Sequence, residues 1–228
     1  MKPIALFCAF CAIITTSLRA EDDPILLHQK RMHTAVQRND VATMKILLRT
    51  PYVRADDILP GGYTWLHDTC GAPSLEAAKV LFDNGYDVFY IATIAPSKGS
   101  GGKEVRVSSL MCASNSNGQT QILKLFLDTM VAKAPMGKND PKIKAQVDFI
   151  GGRTMLGGKT PVITAVVYNA RSDRQCADSV SLLLDAGANP NPPIFPHGTG
   201  ADFSPLRTAR ELKRFPMCAA VIDGRGGR

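Results

Sequence analysis

Residues 152–160 carry the spacing that comes closest to a nucleotide-binding motif. They read Gly-Arg-Thr-Met-Leu-Gly-Gly-Lys-Thr, whereas a phosphate-binding loop needs a glycine, four further residues and then Gly-Lys-Thr. Counted back from Gly158, the position that must be glycine is occupied by Arg153, and a proline follows the run immediately. The spacing therefore does not predict a nucleotide site.

Metal and nucleophile chemistry would need side chains that the sequence does not group together. The four histidines are spread along the chain: His28, His33, His67 and His197. The cysteines beyond residue 20 are also scattered, with no Cys-x-x-Cys pair among them: Cys70, Cys112, Cys176 and Cys218. No Ser-His-Asp, Cys-His or paired-carboxylate arrangement is indicated. We therefore predict no catalytic residue, no metal ion and no cofactor.

The first twenty residues have the layout of a secretory signal peptide. Lys2 precedes an apolar run from Pro3 to Leu18, and Ala20 is followed by an acidic stretch. A permanent membrane anchor is the alternative, but the run of about 16 residues is shorter than the roughly 20 needed to span a bilayer. We expect residues 1–20 to be removed, with no stable membrane span afterwards and a periplasmic or secreted product.

The formal net charge of the whole chain is +7, and removal of Lys2 and Arg19 with residues 1–20 leaves +5. An excess of this size permits an acidic partner but does not demand nucleic acid. No run of interleaved arginine and aromatic residues suggests a surface on which bases would stack. We therefore expect a protein partner and no nucleic acid.

The stretch 157–191 predicts two short helices joined by a loop. Thr160 and Pro161 suit a helix start, with the threonine as cap and the proline in the first turn. The second helix runs through Leu182 to Leu184 and stops at Gly187, where a left-handed residue can turn the chain. Two such helices cannot bury their apolar faces alone, so neighbouring units are required.

This stretch resembles an ankyrin repeat. Thr160-Pro161-Val162-Ile163-Thr164-Ala165 is similar to the family pattern Thr-Pro-Leu-His-x-Ala, and residues 182–191 resemble its helix-and-turn ending. Residues 62–69 show the same likeness, with tryptophan in place of proline. The resemblance implies an all-α, ankyrin-repeat solenoid of about five helix-turn-helix repeats with extended β-hairpin fingers. The repeats fall in one domain, 21–228, at approximately 26–59, 60–88, 106–130, 158–191 and 202–223.

The spacing between equivalent repeat positions locates the insertions. Lys30 and Thr64 are 34 residues apart, close to the family period of 33, but the next three steps measure 44, 52 and 44 residues. One excess predicts a hairpin finger from strands at residues 88–94 and 104–107. A longer insertion lies between Asp128 and Lys159, and a short one, 169–178, separates the helices of the fourth repeat. The chain end after residue 223 is expected to fray.

The resemblance also bears on single residues. In the family pattern the histidine at the place of His67 makes structural hydrogen bonds at the start of a helix, so we favour that role over catalysis. Equivalent positions in stacked repeats lie about 10 Å apart, the spacing of packed helices, whereas bridged Cα atoms need less than about 7 Å. We therefore expect Cys70 and Cys112 to be free, and the pairing of Cys176 with Cys218 stays open.

The resemblance implies a non-catalytic protein-binding module that is monomeric when unbound. We expect an inhibitor or immunity protein that restrains an exported enzyme, such as a peptidoglycan hydrolase or toxin. The alternatives are an envelope scaffold or assembly factor and a secreted effector that binds a host protein. The implied concave binding face comprises Gln37, Arg38, Tyr63, Arg106, Val107, Asn115, Ser116, Lys159, Tyr168 and Phe203.

Overall fold

Helices make up most of the computed structural model, which describes residues 23–60, 62–67, 74–94, 105–114, 119–151, 160–193 and 204–228. The first elements are α1 (Pro24–Gln37), α2 (Val41–Leu47), α3 (Leu75–Asp83), β1 (Ile91–Ile94), β2 (Val105–Ser108), α4 (Ser109–Ala113) and α5 (Gln119–Lys133). They are followed by α6 (Pro141–Val147), β3 (Ile150–Gly151), β4 (Thr160–Pro161), α7 (Val162–Asn169), α8 (Asp173–Asp185), α9 (Pro205–Arg207) and α10 (Pro216–Asp223). A 3-10 turn at Gly137–Asn139 precedes α6, and α9 continues as a π-helix at Thr208–Lys213.

The helices lie in two layers that follow the order of the chain. In one layer α2 packs on α3, α3 on α5, α5 on α8, and α8 on α10. In the other, α4 packs on α7, and α7 packs on the π-helix Thr208–Lys213. The two layers also pack on each other, with α1 on α2, α4 on α5 and α7 on α8. The apolar faces of both layers meet in a connected core that extends from Met32 to Ile222.

Short polar side chains start three helices of the first layer, α2, α3 and α8. Asp40 accepts a hydrogen bond from the backbone N–H of Thr43 at 3.0 Å, and Ser74 and Ser172 cap α3 and α8 in the same way. Each such cap satisfies a backbone donor that the helix itself leaves unpaired. Gly85 and Gly187 follow α3 and α8 with φ angles of +97° and +90°. The prediction that Gly187 ends its helix in a left-handed conformation is therefore confirmed.

Two small antiparallel sheets accompany the helices, so the described chain is mostly helical rather than purely α. The first is the predicted hairpin, in which Ile91 pairs with Ser108 and Ile94 pairs with Val105. The predicted tip of this hairpin lies outside the described residues. The second sheet, which the sequence did not predict, pairs Ile150 with Pro161 and Gly151 with Thr160.

The second sheet corrects the predicted start of the fourth repeat. Thr160 belongs to β4 and does not cap α7, which begins at Val162 after Pro161 with no side-chain cap. The predicted insertion 169–178 is also wrong for most of its length. Asn169 is the last residue of α7, and Asp173 already begins α8, so only residues 170–172 connect the two helices.

The insertion after α5 is folded onto the rest of the chain. Asp140 caps α6 by accepting from the N–H of Lys142 at 2.8 Å, and Ile143 and Val147 are buried. Gln146 donates to the carbonyl of Phe89, just before β1, at 2.8 Å. On the other side Lys144 donates to the carbonyl of Gly187 at 2.7 Å. The insertion thus bridges the turns that follow α3 and α8.

The C-terminal residues are also docked, which contradicts the expectation that they fray. The Arg225 guanidinium lies 2.5 Å from the carboxylate of Asp185 at the end of α8. Asn191 donates from its side-chain amide to the carbonyl of Gly226 and accepts from the N–H of Arg228. A turn and the loop after α8 therefore hold the chain end in place.

Disulfides are present in both layers. Cys176 of α8 and Cys218 of α10 are bonded, with their Cα atoms 5.4 Å apart. Cys112 of α4 is also disulfide-bonded, and its partner lies outside the described residues because Cys176 and Cys218 bond each other. The expectation that Cys112 is free is therefore wrong, whereas Cys70 lies outside the described residues.

The error over Cys112 has a geometric cause. The expectation took the distance between helix axes, about 10 Å at most, for the distance between Cα atoms. Each Cα atom lies about 2.3 Å from its own axis, so Cα atoms on facing sides of two helices approach to about 5–6 Å. That separation is within the range that a disulfide requires.

Candidate protein-binding surface

His67 has the structural role that the sequence predicted. The backbone N–H and the hydroxyl of Thr64 both lie within hydrogen-bond distance of His67 Nδ1, at 3.3 and 2.8 Å. Because the N–H can only donate, Nδ1 is an acceptor and the ring proton lies on Nε2. The Thr64 hydroxyl also contacts the phenol of Tyr86 at 3.1 Å. The three side chains therefore form a short network that begins at the helical turn of residues 65–67.

Burial keeps the imidazole of His67 neutral. Loss of hydration lowers its pKa from the ordinary 6.5 to about 4, and the nearby carbonyl of Val107 only partly opposes this decrease. Nε2 is buried and makes no hydrogen bond of normal geometry within the described residues. Among those residues no group of three histidines, cysteines or carboxylates could hold a metal ion.

One groove at the predicted face lies beside α1. It has a volume of about 450 Å³ and separates α1 from the turn that leads to Thr64. Its lining from α1 is a single stripe, and the opposite wall is largely apolar. The lining residues are Leu26, Gln29, Lys30, His33, Thr34, Leu59, Pro60, Tyr63 and Trp65.

Hydrogen bonds and a β-bridge fix the position of the opposite wall of the groove. Trp65 is fully buried, and its indole N–H donates to the carbonyl of Arg54 at 2.9 Å. The N–H of Leu59 donates to the carbonyl of Tyr63 at 2.7 Å, and Ile58 pairs with Thr64 as an isolated antiparallel bridge. Tyr63 stands at the rim with 43% of its surface exposed. The groove is therefore a built feature of the fold between a helix and a short closed turn.

Two predicted residues, Gln37 and Arg38, lie at the end of α1. The Gln37 amide donates to His33 Nε2 at 2.9 Å, which places Gln37 one turn beyond the groove lining. Arg38 lines a second groove of about 340 Å³ on the adjoining side of α1, together with Lys30, Arg31, Thr34, Ala35, Asp40 and Thr43. Lys30 and Thr34 border both grooves, so the two adjoin along one helix.

Three further predicted residues lie near the hairpin. The ring of Tyr63 meets that of His67 edge-on at 6.3 Å, and the carbonyl of Val107 lies near the same imidazole. Arg106 is exposed, with its guanidinium 5.8 Å from the ring centre of Phe149. His67 thus lies between Tyr63 and Val107, and Arg106 precedes Val107 in β2. The side chain of Val107 is half-buried and packs against the core, so it offers little contact area.

The remaining predicted residues are not brought into this region. Tyr168 lies at the end of α7, half-buried, with the ammonium of Lys213 5.9 Å from its ring centre. The other four lie outside the described residues: Asn115, Ser116, Lys159 and Phe203. Six of the ten predicted residues can therefore be placed, and five of these six lie at the end of α1, at the turn before residues 65–67 or in β2.

The sequence did not predict the groove lining on α1. A signal was present, because Leu26, Gln29, Lys30, His33 and Thr34 recur at the three- and four-residue spacing of one helix face. That stripe adjoins the buried one of Met32, Ala35 and Val36. The missing information was the position of the turn that carries Leu59 and Pro60, which only the folded chain supplies.

Charge is distributed unevenly over the described surface. On α3, α5, α6 and α8, a lysine or arginine faces an aspartate one turn further on: Lys79–Asp83, Lys124–Asp128, Lys144–Asp148 and Arg174–Asp178. No acidic residue lies between residues 24 and 39. The exposed side chains of Lys30, Arg31 and Arg38 form no ion pair with any described residue. The segment of residues 24–39, which contains α1, is therefore basic.

Comparison with known proteins gives no family for this chain. No protein-family model matches the sequence, and no curated protein matches it. In the described residues no helix combines the length and the apolar character that a membrane crossing requires.

Proposed function

We propose that the chain is an exported, non-catalytic protein-binding module made of stacked ankyrin-type repeats. One observation carries the proposal: the helices of each layer contact one another in chain order, from α2 through α3, α5 and α8 to α10. A repeat array has this property because each unit contacts only its neighbours. The Thr64–His67 hydrogen bonds and the left-handed Gly85 and Gly187 add support at the positions where the family pattern expects them.

Export is the second part of the proposal. The predicted signal peptide, residues 1–20, supports it, although those residues lie outside the described chain. The Cys176–Cys218 disulfide and the disulfide of Cys112 agree with it. Disulfides form and persist in the periplasm and outside the cell, whereas they are rare in the reducing cytosol.

We place the binding surface at the α1 groove and the adjoining hairpin, where Tyr63 and Arg106 are exposed. Tyrosine and arginine are over-represented among the side chains that dominate binding energy at protein interfaces. The proposed partner is another exported protein, and the proposed effect is restraint of its activity, as an immunity or self-protection protein would exert. A scaffold that joins partners without inhibiting them remains the competing hypothesis.

The test compares two double variants of the exported protein in pull-downs from envelope extract. Tyr63→Ala with Arg106→Ala removes the two proposed anchors. Tyr52→Ala with Arg171→Ala removes the same residue types at exposed positions outside the proposed surface. We expect each anchor to contribute about 1–3 kcal/mol, so that the first variant binds its partner at least tenfold more weakly and the second binds normally.

Two readouts separate the parts of the proposal. Equal capture by both variants, with helical content unchanged, would place the interface elsewhere. An assay of the captured partner then distinguishes the two hypotheses, because an inhibitor lowers the partner's activity in proportion to the complex formed. A partner whose activity is unchanged would support a scaffold instead.

A further inference from the structure

We infer that the α1 groove takes an acidic segment of the partner protein, with one large apolar side chain inserted and carboxylates on the basic rim. The inference rests on the proposed function and specifies the chemistry of the partner. It concerns the groove between α1 and the turn at residues 58–64, and the adjoining groove that contains Arg38.

The apolar part of the argument comes from the groove lining. Leu26 and Leu59 are half-buried, Tyr63 is exposed at the rim, and Trp65 closes the wall. A volume of about 450 Å³ is enough for one large aliphatic or aromatic side chain and part of the peptide backbone that carries it. Because the turn is held by the Leu59–Tyr63 hydrogen bond and by the Trp65–Arg54 bond, little ordering is needed on binding.

The charged part of the argument comes from the rim. Lys30 borders both grooves, and Arg31 and Arg38 border the second one. These exposed cations have no ion-pair partner among the described residues, and Asp40 supplies the one carboxylate that these residues place at the border of either groove. Asp40 is already engaged in capping α2, where hydrogen bonds from Thr43 lower its pKa.

The combination indicates an acidic peptide rather than another anion. Phosphate-rich partners such as nucleic acid or a lipid surface would use the cations but would leave the apolar wall uncovered. A segment with carboxylates on both sides of a bulky apolar residue satisfies both parts. Attraction between the carboxylates of the segment and the basic rim also increases the rate of encounter, and salt screens this attraction strongly.

The test begins with a random peptide library displayed on phage and selected on the exported protein. Enriched sequences are made as synthetic peptides, and their affinities are measured for wild type and for two triple variants. The groove variant is Lys30→Glu, Arg31→Glu and Arg38→Glu. The matched control is Lys138→Glu, Arg171→Glu and Arg228→Glu, which reverses three exposed charges elsewhere. Thermal unfolding verifies that both variants fold.

We expect enriched peptides to carry two or more carboxylates around an aromatic or large aliphatic residue. Their affinity should fall at least tenfold in the groove variant, remain within about twofold in the control, and weaken from low to physiological ionic strength. Replacing the apolar residue of the peptide by serine should also weaken binding to wild type at least tenfold.

Several outcomes would overturn the inference. These are enrichment of neutral or basic peptides, no enrichment at all, and equal affinity for the groove variant and wild type. Binding of wild type to phosphatidylglycerol vesicles without any peptide enrichment would mean that the rim contacts lipid instead. A partner pulled down equally by wild type and the groove variant would reject this groove while leaving the binding-module proposal intact. If peptides bind the groove but envelope extract yields no partner, the binding-module proposal is rejected while the chemistry inferred for the groove stands.

Discussion

At the scale of single residues, Thr64 and His67 link two segments of the chain. These are the turn before the helical residues 65–67 and the connection that follows α3. The Thr64 hydroxyl donates to His67 and contacts the phenol of Tyr86, which follows α3. Burial raises the pKa of Tyr86 to about 12 and lowers that of His67 to about 4, so both side chains stay neutral at physiological pH. A network of neutral, mutually bonded groups avoids the cost of a buried charge.

The neutral state of His67 predicts how stability depends on pH. Above pH 6.5 the imidazole is neutral in the folded and the unfolded chain, so its contribution is fully present. Between pH 6.5 and about 4 the unfolded chain binds a proton that the folded chain does not, and the free energy of unfolding falls by up to about 1.4 kcal/mol per pH unit. Below pH 4 the loss attributable to His67 ends.

The variant His67→Asn isolates this effect. Its amide oxygen can accept from Thr64, but the side chain does not titrate. Urea unfolding at several pH values should show a shallower decrease for the variant than for wild type between pH 6.5 and 4. Aspartates contribute to both profiles, so the difference between the profiles reports on His67. Parallel profiles for the two proteins would mean that His67 is protonated in the folded state.

At the scale of elements, α8 connects the fourth helix pair to the fifth. Its buried face holds Val180 and Leu183, and its first turn contacts α10. The carboxylate of Asp173 accepts from the N–H groups of Met217 and Cys218 at 3.0 and 2.9 Å. Asp173 of α8 therefore caps α10. Its carboxylate satisfies the N–H groups of Met217 and Cys218, for which Phe215 at the start of α10 provides no side-chain cap.

The buried face of α8 can be tested with a matched pair of substitutions. Leu183 is fully buried, whereas Leu212 in the π-helix is 53% exposed. We expect Leu183→Ala to lower the free energy of unfolding by about 2–5 kcal/mol, because it leaves a cavity in the core. Leu212→Ala should change it by less than about 0.5 kcal/mol. Comparable losses in the two variants, measured by urea unfolding, would contradict the packing described for α8.

Much of the helical layout was predictable, because it depends on local signals. The apolar periodicity of residues 180–184 and the stop at Gly187 define α8, and Pro216 marks the start of α10. The β1–β2 hairpin also follows from local alternation. The β3–β4 pair was missed because residues 150–151 and 160–161 are too short for any periodic signal. The fold of residues 134–151 was missed because distant contacts stabilise it, such as those of Gln146 and Lys144.

The candidate surface was predictable only in part. Tyr63 and Arg106 were indicated by their place in the repeat pattern, and both are exposed in the structure. The contribution of α1 to the groove was missed. A groove needs two walls, and the sequence indicated the helix but not the position of the turn that faces it. The bonding of Cys112 was missed because periodicity gives the order of helices but not how closely two facing positions approach.

At the scale of the whole molecule, the Cys176–Cys218 disulfide reinforces the contact between two neighbouring helices of the first layer. The helices of each layer contact one another in chain order. The Cys176–Cys218 bond closes a loop with a sequence separation of 42 and connects α8 to α10 at the C-terminal end. The bond of Cys112 acts on α4, in the other layer.

Two independent disulfides predict two separate steps of destabilisation. The double variant Cys176→Ala, Cys218→Ala should lose about 2–4 kcal/mol of unfolding free energy, because the unfolded chain regains the freedom that the loop restricts. A reductant should then destabilise the double variant further, since the bond of Cys112 is still present. Thermal unfolding with and without reductant measures both steps. A double variant that does not respond to reductant would mean that Cys112 is not bonded in the isolated protein, and the original expectation of a free thiol would then hold.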